Sequence, residues 1–370
     1  MATSVADRPL PYSPQLDGLR AIAVAAVAWT HWAPMRQFGL PFGSGVHLFY
    51  VISGYLITSL LLHARAQHDH AAALRTFYAR RVLRIFPAFY TVLALAALFD
   101  VRTVRETWLW HATYLSNVQL YYAQFMSPVS HFWSLAVEEQ FYLVWPWIIV
   151  FLPRRLLVPV CAAGIVAAPL ARLLLRGFGM SELPLVLPLG SFDALGIGAL
   201  IALIEHGYAP ETWRRDRVIG AIAAVGLPLY VASIAWNVSG RELPLLPWAL
   251  FQFVQALTFG AIVGTAVPGF RGWLGRVLAS RPMIGVGRIS YGIYLVHVFA
   301  PPVVRAILRA FGVDSLSLRG WEIQPLYVIT TLAFAGALWI AIERPMNSLK
   351  RYFPVTAARM PAHLVPTTPL

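Results

Sequence analysis

The chain has 370 residues, of which 58% are apolar and only 12% are charged. Because a soluble domain carries about 25% charged residues, this composition argues against a soluble enzyme, a disordered chain, a collagen and a disulfide scaffold. The 29 Lys and Arg residues outnumber the 16 Asp and Glu residues, which gives a net charge of +13, and Lys350 is the sole lysine. Arginines dispersed between long apolar runs orient membrane helices, so we predict a membrane protein and no nucleic-acid partner.

Apolar runs long enough to cross about 30 Å of hydrocarbon at 1.5 Å per residue recur along the whole chain. We therefore predict an all-α polytopic membrane protein. Its ten predicted spans are 19–35, 46–63, 85–100, 132–152, 156–175, 184–204, 218–236, 245–267, 289–311 and 325–342. An eleventh candidate, 108–122, is aromatic and polar, which favours an interfacial or re-entrant segment. The first apolar run starts after Arg20 and lacks the small-residue cleavage site of a secretory signal, so we expect the short polar leader 1–15 to be a tail.

The distribution of the arginines predicts the orientation of the spans. With ten spans and the N-terminus inside, nineteen Lys and Arg residues fall in inner segments and six in outer ones, which is the expected inside bias. Counting 108–122 as a span would place Arg154 and Arg155 outside and invert every later loop. We expect both termini to be cytoplasmic, the cell inner membrane as the location, and one membrane domain over 1–370 with short tails.

The first predicted span carries two ionisable residues, and such groups inside a bilayer mark candidate functional sites. Arg20 and His31 are eleven residues apart, so on a helix they share one face about 16 Å apart along the axis. A cation near the inner end and an imidazole toward the outer leaflet suit an anionic ligand that arrives from the cytoplasm. Histidine is also the commonest general base near neutral pH. On spacing alone, a structural histidine beside Trp29 and Trp32 is an equally good interpretation.

The fourth predicted span carries adjacent carboxylates, Glu138 and Glu139. Neighbouring side chains on a helix point about 100° apart, so we expect at most one of them to face a given cavity, at a depth similar to that of His31. Such a carboxylate can orient an imidazole or transfer a proton itself. The alternative is a helix–helix hydrogen bond or an ion pair with an arginine.

The inner mouth of the third span carries Arg80, Arg81 and Arg84. Spacings of three and four residues place these side chains in one patch on a helix. Guanidinium groups match the oxygens of phosphate. Without further context, a plain positive-inside anchor is the favoured alternative.

The remaining polar insertions carry less information. Asp193 is an isolated acid in a span, and we expect it to pair with an arginine. The segment 290–297 carries Ser, Tyr and His at about helical spacing, which is typical of packing and interhelical hydrogen bonds. Ser53 and Gly54 allow close backbone approach within the second span. Cys161 is the only cysteine, and no His or acid pair has a clear metal-binding spacing, so we expect no disulfide and no metal.

Taken together and in this order, these stretches resemble the membrane-bound acyltransferase 3 family, which O-acylates sugars and related molecules. The resemblance covers about residues 14–345 of the chain. Its matching segments are 16–23 with His31, 45–57, 80–84, 132–143, 192–194, 289–297 and 343–345.

The resemblance implies a reaction. Acyl-CoA, commonly acetyl-CoA, is bound from the cytoplasmic side, and its acyl group passes to a hydroxyl of a carbohydrate acceptor such as a surface polysaccharide or a lipid-linked sugar. His31 matches the essential histidine and Arg20 its partner. Arg80, Arg81 and Arg84 match the arginines associated with the CoA phosphates. Glu138 and Glu139 match the acidic pair.

One position departs from the family pattern. His47 stands where the family commonly has Asp, so an acid that orients the catalytic histidine is missing there. Another group, such as Glu138, has to do that work.

The physical chemistry fits this reaction. A thioester is already activated, so the enzyme mainly needs a base for the acceptor hydroxyl and donors for the developing oxyanion. A pantetheine arm, about 15–20 Å long by standard bond lengths, matches the spacing from Arg20 to His31. Direct transfer with His31 as base and an acyl-enzyme on His31 both fit.

Two functions from other classes fit the same polar residues. The first is a transporter or flippase for a lipid-linked sugar, in which buried Arg, His and Glu serve a proton-coupled carrier. The absence of evident inverted repeats in the sequence counts against it. The second is a receptor-like or scaffold protein whose polar stripes only hold helices together.

Overall fold

The computed structural model describes residues 13–33, 42–66, 69–99, 104–123, 128–180, 183–210, 212–240, 243–313, 318 and 320–354. Most of the predicted leader and the end of the predicted tail lie outside these ranges. Within them every regular element is a helix, as the predicted fold class requires. The α-helices are α1 (Pro14–Trp32), α2 (Gly45–Arg65), α3 (His70–Leu98), α4 (Val104–Ala112), α5 (Ser116–Ala123), α6 (Phe132–Phe151), α7 (Arg154–Gly177), α8 (Leu183–Val186), α9 (Phe192–Glu205), α10 (Arg215–Val238), α11 (Leu245–Ala266), α12 (Gly272–Leu278), α13 (Arg281–Arg288), α14 (Ser290–Val296), α15 (Ala300–Ala310), α16 (Gly320–Leu338) and α17 (Arg344–Ser348).

Seven helical segments of the described ranges are long and apolar enough to cross a membrane. These are Gly45–Arg65, His70–Leu98, Arg154–Gly177, Arg215–Val238, Leu245–Ala266, Ser290–Ala310 and Gly320–Tyr352. The other three predicted spans correspond to α1, α6 and α9. Polar residues lower the hydropathy of α1 and α6, and α9 has only 14 residues. The count of ten and the side on which the termini lie therefore stay predictions.

The polar segment 108–122 does not form a span. It is divided between α4, with 9 residues, and α5, with 8 residues. At 1.5 Å per residue these helices are about 13 Å and 12 Å long, which is too short to cross the hydrocarbon. The prediction that this segment is not an eleventh span is confirmed.

Two predicted spans differ from the observed helices. The span predicted at 184–204 was wrong at its start, because the helix begins at Phe192 after a 3₁₀ turn over Leu189–Ser191. The span predicted at 289–311 matches the helical segment Ser290–Ala310, but within this segment a 3₁₀ turn over His297–Phe299 separates α14 from α15. Two prolines follow directly at the start of α15, and proline lacks the N–H that a continuous helix uses.

The helix pair α2 and α9 packs with its backbones in contact. A Cβ atom on Gly54 would lie 1.9 Å from the carbonyl oxygen of Leu195, and one on Gly198 would lie 2.0 Å from that of Val51. No side chain fits at such distances, so each glycine is required by the opposite helix. The close approach predicted at Ser53 and Gly54 is confirmed.

A buried arginine joins α7, α9 and α11. Arg172 donates from Nη2 to Asp193 Oδ2 at 2.6 Å, and both side chains are 0% exposed. It also donates from Nε to Ala249 O at 2.9 Å and from Nη1 to Gln252 Oε1 at 3.0 Å and to Gly190 O. The predicted pairing of Asp193 with an arginine is confirmed, and the guanidinium makes four hydrogen bonds to buried acceptors.

We predict that Arg172→Leu destabilises the protein by about 3–5 kcal/mol, because it leaves Asp193 as a buried and uncompensated charge. The double variant Arg172→Leu/Asp193→Leu should recover part of that loss, although three other acceptors remain without their donor. The measurement is thermal unfolding of the purified protein in detergent. Arg155→Leu, at the exposed start of α7, is the control and should unfold like the wild type. A double variant as unstable as the single one would contradict this account.

Candidate functional site

One cavity lies between α1, α2, α3, α6 and α14 and has a volume of about 290 Å³. Its polar lining combines three arginines with three carboxylates. We call it the arginine chamber, and these charged residues are Arg20, Arg81, Arg84, Asp17, Glu138 and Glu139. The structure thus brings together five of the seven predicted site residues.

Arg20 reaches the arginine chamber from α1. Its Nε donates to Ser290 Oγ of α14 at 3.2 Å, and its guanidinium carbon lies 5.9 Å from the centre of the Phe49 ring. It is close enough to Arg84 and Glu138 to interact with both charges. The side chain is therefore held from one side, while its terminal nitrogens make no hydrogen bond within the described residues.

The arginine cluster of α3 is divided between two surroundings. Arg81 and Arg84 line the arginine chamber, and Arg81 lies 5.8 Å from the ring centre of Tyr142. Arg80 is not among the lining residues, since it donates to Lys350 O at 3.2 Å and to Phe353 O at 2.9 Å. Arg80 thus fixes the C-terminal end of the described chain against α3.

Two further charged residues lie beside the cluster, and the sequence did not single out either as a site residue. Glu343 ends a π-helical turn over Trp339–Glu343, is 4% exposed, and interacts electrostatically with Arg20 and Arg84. Lys350 lies within electrostatic range of all three cluster arginines. Their sequence separation from α3 hides this proximity, which depends on the packing of α17 against α3.

Both adjacent acids of α6 line the arginine chamber. The expectation that at most one would face a given cavity was wrong, because the chamber extends around the helix far enough to reach two directions about 100° apart. Glu138 accepts hydrogen bonds from the hydroxyls of Ser53 and Tyr142. Neither acid lines the cavity that contains His31, so their predicted role next to the imidazole has no support from the geometry.

A second cavity, of about 160 Å³, lies at the other end of α1. We call it the histidine chamber. It is lined by Val27, Thr30, His31, Gly43, Val46, Leu120, Ser130, His131, Trp133 and Tyr294. His31 and Arg20 therefore serve two different chambers, and helix rise places them about 16 Å apart.

The two chambers share a wall. Val46 and Tyr294 line both cavities. The Tyr294 hydroxyl donates to His131 O at 2.9 Å and lies 2.5 Å from Ser134 Oγ. Of these two shared residues, Tyr294 is therefore fixed by hydrogen bonds.

His31 belongs to a cluster of three histidines. Its Nδ1 lies 2.9 Å from Val27 O and 3.1 Å from Nε2 of His297, and the ring centres of these two histidines are 4.8 Å apart. His131 completes the cluster, with ring centres 6.1 Å from His31 and 5.0 Å from His297. Within the described ranges, no three His, Cys, Asp or Glu side chains are placed to share a metal ion.

The sequence assigned His297 to packing and did not single out His131. The available signal was that His297 ends one matching segment of the family resemblance, 289–297, and that His131 directly precedes another, 132–143. His47 lies elsewhere, buried and with its ring centre 6.1 Å from that of Tyr50. The histidine chamber does not include it.

The sequence matches a family described as an acyltransferase domain over residues 13–342, which is nearly the whole chain. No solved structure matches it. The family match favours the acyltransferase interpretation over a carrier.

The chain is also similar to curated bacterial proteins. It is 30% identical over 353 residues to the peptidoglycan O-acetyltransferase OatA of Listeria monocytogenes, which covers 83% of this chain and 55% of that protein. It is 30% identical over 367 residues to YrhL of Bacillus subtilis, with 91% and 55% covered. Its identity to the O-acetyltransferase OatA of Staphylococcus aureus is 28% over 315 residues, with 77% and 50% covered. The chain thus spans about half the length of these relatives.

The membrane location follows from these findings together. The seven helical segments that can cross a bilayer and the match over nearly the whole chain identify a multi-pass protein of the cell membrane.

Proposed function

The chain belongs to the acyltransferase 3 family, and on that premise we propose that it transfers an acyl group, most simply acetyl, from acyl-CoA to a hydroxyl of a carbohydrate. The three relatives described above are all named for O-acetylation, two of them for that of peptidoglycan. A peptidoglycan-type glycan is therefore the acceptor to test first. The observation that carries the proposal is the back-to-back arrangement of the two chambers.

The arginine chamber suits the coenzyme end of the donor. Arg81 and Arg84 offer planar guanidinium donors that match phosphate oxygens, with Lys350 and Arg80 beside them. Ser53 and Tyr142 already bond Glu138, so this acid does not depend on the arginines for its hydrogen bonds. We place the donor phosphates at the α3 side of this chamber.

The distance between the chambers suits the pantetheine arm. Arg20 and His31 are separated by about 16 Å of helix rise, and the extended arm measures about 15–20 Å by standard bond lengths. An acyl-CoA anchored at Arg81 and Arg84 would therefore present its thioester near the shared wall at Val46.

The chemistry assigned to the histidine chamber is direct acyl transfer. The acceptor hydroxyl gives its proton to His31 as its oxygen attacks the thioester carbonyl carbon. The tetrahedral intermediate then breaks its C–S bond, and the CoA sulfur leaves and takes up a proton from His31. The products are the acyl ester and free CoA.

The experiment that tests the proposed acyl transfer supplies radiolabelled acetyl-CoA to membrane vesicles that contain the protein and an unacetylated glycan strand. We expect labelled ester on the glycan, with inverted vesicles, whose cytoplasmic face is outside, consuming more donor than right-side-out ones. Vesicles without the protein are the control. Donor that is never consumed, in either orientation, would refute the proposal and favour a carrier.

We predict that Arg84→Ala raises the KM for acetyl-CoA by about 10–100-fold, because charge-assisted hydrogen bonds to phosphate contribute about 1.5–3 kcal/mol. Arg84→Lys should recover only part, since a point charge does not replace the guanidinium fork. The measurement is the initial rate against acetyl-CoA concentration.

The control for this series is Arg75→Ala, an exposed position on the same helix, which should leave the KM unchanged. If Arg84 only anchored α3 at the membrane surface, a lysine at this position would do so equally well. Full activity of Arg84→Lys together with a defect of both alanine variants would therefore favour the anchor interpretation.

We predict that His31→Ala lowers kcat by about 10²–10⁴-fold, the usual contribution of a positioned general base. The KM for acetyl-CoA should change little, because His31 lies in the other chamber. Steady-state kinetics of the purified protein measure both quantities. A purified His31→Ala variant with normal acyl transfer would exclude both direct catalysis and an acyl-enzyme on this residue.

We predict that the shared wall sets the acyl chain that is accepted. Val46→Ala removes atoms from the shared wall and so enlarges the space beside it. This should raise the rate with butyryl-CoA relative to acetyl-CoA by several-fold, since each buried CH₂ group accounts for about 0.8 kcal/mol. The measured quantity is the ratio of kcat/KM for the two donors. Val82→Ala, on the exposed face of α3, makes the same truncation away from both chambers, and equal ratios in the two variants would exclude the wall as a filter.

A further inference from the structure

We propose that His297 is a positioning residue that holds His31 in the tautomer whose Nε2 accepts the proton of the acceptor hydroxyl. This inference rests on the proposed function, because it names the group that prepares its base. It goes beyond that function by assigning a role to His297. This role follows from a chain of hydrogen bonds that runs from the backbone of Tyr294 through two imidazole rings.

The first link fixes the proton of His297. Its Nδ1 lies 2.7 Å from the carbonyl oxygen of Tyr294. A carbonyl oxygen only accepts hydrogen bonds, so Nδ1 carries the proton and donates it. A neutral imidazole has a single N–H, and Nε2 of His297 is therefore an acceptor.

The second link fixes the proton of His31. Its Nδ1 lies 3.1 Å from that acceptor nitrogen and 2.9 Å from Val27 O. Both neighbours accept, so Nδ1 of His31 carries the proton and shares it between them in a three-centre bond. The other nitrogen of His31, Nε2, then has a free lone pair, which is the requirement for a general base.

The opposite arrangement conflicts with the backbone. If His297 carried protons on both nitrogens, its Nε2–H would point at an unprotonated Nδ1 of His31. That lone pair would then face the oxygen of Val27 at 2.9 Å, and two acceptors repel one another. The two carbonyl groups together therefore select a single proton pattern for the pair.

The position of His297 is fixed independently of its ring. The indole Nε1 of Trp32 donates to His297 O at 2.9 Å, which ties the end of α1 to the 3₁₀ turn that interrupts the ninth predicted span. The titratable groups that face the pair from neighbouring elements are His131 and Tyr294. Among the described residues no carboxylate makes a hydrogen bond to either imidazole, so an imidazole does the work that a carboxylate does in a Ser-His-Asp triad.

The consequence for catalysis is specific. When His31 takes up the hydroxyl proton it becomes an imidazolium, and its Nδ1–H becomes a stronger donor to His297 and Val27. The partner thus stabilises the charged form that arises in the transition state. It does not touch the coenzyme, whose predicted contacts lie in the arginine chamber.

The kinetic test compares two substitutions of His297. His297→Leu removes the acceptor and should lower kcat by about 10–100-fold, as the loss of a hydrogen bond to a charged group does. The KM for acetyl-CoA should stay within about twofold of the wild-type value, because the lost hydrogen bond strengthens only in the transition state. His297→Gln keeps an amide oxygen at the length of Nε2 and should retain a clearly larger kcat than the leucine variant. His70→Leu, at the start of α3 and outside both chambers, is the matched control.

The second test needs neither activity nor a variant of His297. The ¹⁵N spectrum of histidine-labelled protein in membranes, with the His31 signals identified by their loss in His31→Asn, should show His31 protonated at Nδ1 and bare at Nε2. His31 protonated at Nε2 in the wild type would overturn the proposal, as would a His297→Leu variant with normal kcat. If acyl transfer itself fails in the vesicles, the proposed function falls while the spectrum still decides the tautomer.

Discussion

An arginine in an apolar helix bundle must either be hydrogen-bonded to buried acceptors or face a polar cavity, and the packing around both chambers depends on how two arginines meet this constraint. Arg172 meets it with four hydrogen bonds to buried acceptors. Because its acceptors come from several elements, the guanidinium fixes α7, α9 and α11 against one another. Helix α9 then meets α2 at Gly54 and Gly198, and α2 carries Val46 to the wall between the chambers. The ion pair with Asp193 therefore positions a site in which it takes no part.

Arg20 meets the same constraint in the opposite way. Within the described residues its hydrogen bond runs from Nε to Ser290, which leaves the terminal nitrogens to the arginine chamber. Arg172 is fully buried in the bundle and Arg20 is partly buried, and sequence hydropathy does not tell them apart. In the proposed function, what separates the structural Arg172 from the donor-binding Arg20 is the number of acceptors that the fold supplies, and this number is a tertiary property.

The sequence predicts what depends on a single helix. The common face of Arg20 and His31 follows from helix periodicity alone, and the all-helical class and the pairing of Asp193 follow from the cost of charge in an apolar segment. The identity of the partners in other helices was not accessible. His297 lies next to His31 although 266 residues separate them, and only the packing of α14 against α1 brings the two rings together. The angle between Glu138 and Glu139 was predicted, but the extent of the cavity around them was not.

Helix α14 is only seven residues long, yet its residues line both chambers. Ser290 at its first position holds Arg20, Tyr294 forms the shared wall, and His297 directly follows its last residue. These positions recur every three to four residues and lie on one face. Helix α14 thus contributes residues to both chambers. In the proposed mechanism, a small rotation about its axis would change the contact with Arg20, the position of the shared wall and the position of His297 together, so that donor binding and proton transfer would be linked.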